Sequence, residues 1–154
     1  MTYGLILALA VGLLALLAAI RLAPDDPTRW HVPVAEQTPP IPGPCADHIR
    51  IVPKGARTTC LLSDPPATLL ARLDTIALAT PRTTRLAGTP ESGRLTWITR
   101  SRLMGFPDYV TAEASQTAEG TRLDIFARQR FGQGDWGVNA ARLAAWLSPL
   151  DQIR

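Results

Sequence analysis

From Tyr3 to Ile20 the chain carries no charged side chain and is built almost wholly of Leu, Ala, Val and Ile. As a helix this run rises about 27 Å, close to the roughly 30 Å of a hydrocarbon core, and Leu22 and Ala23 extend it while Arg21 snorkels to the interface. The rival reading is a cleaved signal peptide. Met1 to Gly4 offers no basic residue for its n-region, and a cut after Ala23 would set Arg21 where a small residue is needed and Pro24 just past the cut. Residues 1–23 are therefore expected to be an uncleaved single-pass transmembrane anchor.

Orientation has two opposed signals. Arg21 and Arg29 follow the span, which by the positive-inside rule favours a cytoplasmic domain. The only two cysteines, Cys45 and Cys60, also follow it, and an even pair in a proline-rich flank suits an oxidising compartment. The cysteines decide the expectation: a bacterial inner-membrane protein whose C-terminal domain is periplasmic.

About 130 residues follow the span, enough for one ordinary domain. The net charge of +3 lies entirely after residue 20. It tolerates nearby anionic lipid but is far from the charge density of a nucleic-acid binder. Eight of the fourteen prolines fall between Pro24 and Pro53. Residues 24–60, with the cysteine pair, therefore read as an extended spacer, and residues 61–154 as the folded domain.

In that domain Asp64-Pro65-Pro66 reads as a helix start, with Leu69, Leu70, Leu73, Ile76 and Ala77 at helical spacing. Four short strand-like runs follow, Thr83 to Ala87, Leu95 to Leu103, Tyr109 to Thr117 and Thr121 to Phe131, broken by turn residues. The last alternates Leu123, Ile125 and Ala127 with charged or aromatic residues, so one face is core. Asn139 is the expected cap of a final helix carrying Leu143, Trp146, Leu147 and Leu150, which Pro149 kinks or ends. The fold class is α+β: a small antiparallel four-stranded sheet flanked by two helices.

Familiar catalytic patterns are missing. The histidines, His31 and His48, lie in or beside the proline-rich segment, and there is no nucleophile elbow, phosphate loop, dinucleotide fingerprint or zinc helix. No cofactor is expected, and a conventional enzyme is disfavoured. Cys45 and Cys60 have three readings: a disulfide, free thiols, or a metal site completed by Asp47 and His48.

The richest segment is Arg128-Gln-Arg-Phe-Gly-Gln-Gly-Asp-Trp-Gly-Val-Asn139. Read structurally, Gly132, Gly134 and Gly137 shape a loop, Asp135 bonds its own backbone and Asn139 caps the helix. Read functionally, the helix N-terminus and its arginines form an anion site. Arg128 and Arg130 share one strand face by parity, as do Arg100 and Arg102. Four guanidinium groups could thus meet on a carboxylate or phosphate, with Asp108 and Asp135 as partners.

Arg130, Gly132, Asp135, Gly137, Val138 and Asn139 match the Ser-Arg-x-Gly-x-x-Asp-x-Gly-Val-Asn stretch that this segment resembles, the signature of the domain-of-unknown-function 1499 family. Phe106-Pro-Asp-Tyr-Val110 resembles that family's Phe-x-Asp-Asp-Val, with Tyr109 replacing the second aspartate. The cysteine spacing departs from the family's Cys-Pro-x-x-Pro-Asn-Cys, so the resemblance lends these cysteines no role. It implies no chemistry either. Two function classes stand: a non-enzymatic, membrane-tethered domain that binds an integral membrane or envelope protein, and a binder, conceivably a modifier, of an anionic small molecule or lipid headgroup at the Arg130 to Asn139 loop.

Overall fold

The computed structural model describes residues 2–151. Helix α1 (Thr2–Leu22) has no buried residue and is long and apolar enough, by length and composition, to cross a membrane. It is apolar all round, so it has no polar stripe to turn outward from a protein core.

The rest is an α+β domain with a seven-stranded sheet, which corrects the expectation of four strands. After the short helix α2 (Pro27–Trp30) come β1 (Ile41–Pro42), β2 (Arg50–Val52), β3 (Gly55–Leu62), helix α3 (Pro66–Ala79), β4 (Thr83–Thr89), β5 (Arg94–Arg100), β6 (Pro107–Thr117), β7 (Gly120–Gln129) and helix α4 (Val138–Asp151). The strand order is β1-β3-β7-β6-β5-β4, with β2 also paired to β3. The four expected strands are β4 to β7. The added three come from residues 41–62, all but the last two of which the proline content assigned to a spacer. Proline excludes helix but not short edge strands, and β3 itself contains none. Its Ala56, Thr58 and Cys60 are buried, and it pairs along its whole length with β7.

Cys45 and Cys60 are joined by a disulfide, their α-carbons 5.4 Å apart, and both are fully buried. The bond ties the turn Cys45–His48 to β3 and takes both thiols out of the metal reading. Asp151 at the end of α4 accepts from the amides of Cys45 (2.9 Å) and Ala46 (3.1 Å).

Helices α3 and α4 cover one sheet face. Leu69, Leu70, Leu73 and Ala77 of α3 and Leu143, Trp146, Leu147 and Leu150 of α4 are buried against Leu95, Trp97, Val110, Leu123 and Ile125. Trp97 and Trp146 meet edge to face at 5.6 Å. Asp74, buried within α3, accepts from Trp97 Nε1 (2.8 Å) and Arg85 Nε (3.1 Å), so its desolvation is offset by donors from β4 and β5. Asp64 does not cap α3, which has no side-chain cap; its carboxylate pairs with Arg72.

Candidate functional site

Alternation along β5, β6 and β7 sends Thr96, Ile98, Tyr109, Thr111, Phe126 and Arg128 to the opposite face. That face is not open to solvent, because residues 24–38 lie across it as a strap. Asp26 accepts from Thr28 N (2.9 Å) and caps α2, with Pro27 in the first turn. The turn delivers Trp30 onto Tyr109, with ring centroids 3.8 Å apart and planes within 4°. The Trp30 carbonyl accepts from Thr111 Oγ1 (3.2 Å) and Arg128 Nη2 (2.5 Å).

Farther along, His31 Nδ1 lies 2.9 Å from Thr96 Oγ1. Burial, and then Arg94, hold the His31 pKa below its ordinary 6.5 against the upward pull of Glu113. Glu113 accepts from the amides of Val34 (2.7 Å) and Ala35 (2.8 Å). Arg57 donates to the Val34 carbonyl (3.1 Å), and Arg122 to those of Glu36 (2.5 Å) and Thr38 (2.9 Å).

Of the four arginines expected to converge, Arg100 and Arg130 do meet on a carboxylate, and it is the chain's own Asp25. Arg100 Nη2 lies 2.5 Å from Asp25 Oδ2 and Arg130 Nη1 3.8 Å from Oδ1. Tyr109 donates its hydroxyl to Oδ1 at 2.5 Å, and Arg130 also donates to the Pro24 carbonyl at 2.8 Å. Register explains the meeting, since Pro107 faces Arg100 on one side and its carbonyl accepts from the Arg130 amide on the other. Burial, and then the bond to Asp25, push the Tyr109 pKa up to about 12.

The other named residues go elsewhere. Arg128 turns inward over the rings of Trp30 and Phe126, 5.4 Å and 5.0 Å from their centroids. Burial, with Arg57 adding to it, lowers its pKa. Arg102 stays exposed beyond β5. Asp108 projects to the helix face and pairs with Arg142 at 3.0 Å, so it is no partner of the arginine group. Burial raises its pKa despite that guanidinium.

In the loop, Gly132 and Gly137 hold φ of 95° and 81°, a region that favours glycine. Asp135, not Asn139, caps α4, accepting from the amides of Gly137 (3.1 Å) and Asn139 (3.0 Å). Asn139 lies inside the helix, fully buried, and its side-chain oxygen accepts from Arg142. The helix begins one residue before Asn139, so Asn139 presents an amide to be capped where a capping side chain was expected. Burial works to raise the Asp135 pKa, but the amides it accepts from outweigh that and leave it below the usual value. The amides of Gly137 and Asn139, which an anion at the start of α4 would use, are thus already taken by Asp135. Trp136 projects from this loop with φ 53° and is 99% exposed.

The foot of α1 stands at the same end of the sheet. Arg21 Nη2 donates to the Leu103 carbonyl at 2.8 Å. Its side chain lies over Gly105, where a Cβ would meet it at 3.0 Å. Beside this contact Arg21, Arg82, Arg100 and Arg102 line a shallow cleft of about 410 Å³.

The sequence reading missed Asp25, Trp30, Tyr109, Glu113 and Arg57 as members of one surface. The signals were present but small: the Asp26-Pro27 helix start, and a tryptophan inside a supposed spacer. Among the described residues no three His, Cys, Asp or Glu side chains group as metal ligands.

A search of curated proteins returned no match to the chain. A family model does match residues 22–150, a span that takes in the strap, the disulfide, the whole sheet, α3 and all of α4 but Asp151. The chain belongs to the family described as protein of unknown function DUF1499.

Proposed function

We propose that the protein is a membrane-tethered envelope domain that works by binding another protein and not by catalysis. In this reading α1 spans a bacterial inner membrane, the domain lies on the periplasmic side, and an integral membrane or envelope protein docks on the 130–139 loop. Trp136 carries the reading. A tryptophan 99% exposed on a loop pinned by Asp135 is a preorganised aromatic anchor without a partner among the described residues. The arginines of the opposite face are taken up by the strap, which leaves few groups free for substrate chemistry. A buried disulfide suits an oxidising compartment.

The alternative, an anionic molecule held by the same loop, must displace Asp135 from the amides of Gly137 and Asn139. The test is a photoreactive residue in place of Trp136, irradiated in intact membranes. A discrete protein adduct, absent when the same residue replaces the buried Trp146, is expected. Adducts to lipid alone, or none, refute the partner. Orientation is read by protease after outer-membrane permeabilisation, where digestion of the domain is expected and protection until the inner membrane is lysed overturns the periplasmic placement.

A further inference from the structure

We infer that the cleft at the foot of α1 binds the phosphodiester headgroup of an anionic phospholipid. The inference rests on the reading of α1 as a membrane span. If Tyr3 to Ile20 fills the hydrocarbon, Arg21 follows by one residue and sits at the level of the lipid phosphates. Arg21 is fixed there by its bonds to the Leu103 and Met104 carbonyls, and Gly105 leaves room for its side chain to lie across the loop. The span therefore sets the cleft against the bilayer surface.

The lining chemistry fits that ligand. Arg21, Arg82, Arg100 and Arg102 surround the cleft, and Ser101 adds a hydroxyl. Among the described residues, Asp25 on Arg100 is the one carboxylate paired with any of the four. Arg82 is held with φ 60°, and its Nε donates to the Arg100 carbonyl (3.0 Å), which orders the wall. Arg102 makes no hydrogen bond among the described residues and remains exposed. Leu103, 80% exposed beside it, supplies the apolar contact that a lipid has and a free phosphate lacks. A local excess of three positive charges against an anionic leaflet is favourable, and each arginine adds to it. This site differs from the 130–139 loop, where Asp135 already holds the amides of Gly137 and Asn139.

The test uses the full chain in nanodiscs of phosphatidylcholine alone and of phosphatidylcholine with phosphatidylglycerol, read by amide hydrogen exchange over residues 101–106. Exchange about tenfold slower in the anionic discs is expected, and the difference should vanish in Arg82→Gln/Arg102→Gln. Arg102→Gln alone, which loses no internal bond, should remove part of it and serves if Arg82→Gln disturbs its turn. Equal exchange in both discs, or protection that survives the double variant, overturns the inference. Inorganic phosphate protecting the solubilised protein as strongly as the anionic discs do overturns the lipid assignment. Failure of the chain to enter discs defeats the anchor reading and this site with it. Entry without headgroup dependence defeats the site alone.

Discussion

Trp30 lies flat on Tyr109, 3.8 Å between ring centroids, although 78 positions separate them and one belongs to a strap while the other belongs to the middle of a sheet. The stack places the Tyr109 hydroxyl on Asp25 and the Trp30 carbonyl under Arg128. One aromatic contact thus gathers Asp25, Arg100, Arg128 and Arg130 at that end of the sheet face.

Replacing Trp30 with alanine should cost about 3 kcal/mol, as for a large buried aromatic. The loss should fall on the strap. Limited proteolysis should cut within residues 24–40 of Trp30→Ala while β3 to β7 remain protected, and the Tyr109 pKa should fall from about 12 towards 10 in an alkaline absorbance titration. Unchanged protease resistance would show that the polar bonds suffice.

The His31 shift gives a pH dependence with a definite sign. Its folded pKa lies below 6.5, so the unfolded chain binds the proton more readily. The contribution of neutral His31 is complete above about pH 6.5 and is lost as the pH falls from there through the lowered folded value. Urea unfolding between pH 7.5 and 5 should show stability falling with pH, with a smaller slope in His31→Gln. An equal slope in both would assign the dependence to carboxylates.

At the glycine loop, Asp135→Ala should destabilise by about 1 kcal/mol, because it uncovers two amides at the start of α4. Its pKa is depressed in the fold, so its contribution is present above the ordinary carboxylate range and disappears as the pH falls through the folded value. Thermal melts of wild type and variant should therefore converge in acid. Divergence at low pH would refute the cap.

Reducing the Cys45–Cys60 bond should cost about 3 kcal/mol, the value for closing a loop of this size. Native protein should take up no thiol reagent, and the reduced form should unfold at lower urea. Labelling of both cysteines without denaturant would contradict the bond.

Much of the domain was legible because it is local. Leu69, Leu70, Leu73 and Ala77 recur at helical spacing, and Leu123, Ile125 and Ala127 alternate. These periods fix α3 and β7, because each side chain's direction follows from its own backbone. The apolar run of α1 was legible for the same reason. Composition misled where proline was dense: it correctly excluded long helix from residues 24–60 but carried no information about which extended segments would find a sheet edge. That was decided by β7, which offered β3 a full antiparallel register, and by Tyr109 and Glu113, which gave the strap an aromatic platform and an acceptor for its amides. The destinations of the arginines were settled in the same way. Parity put Arg100 and Arg130 on faces of their own strands, but only the β5–β6–β7 register set those faces side by side, and only the folded strap put Asp25 between them. A single strand specifies the direction of its side chains. Their partners are specified by register and by what packs above, and both are set by contacts between residues distant in sequence.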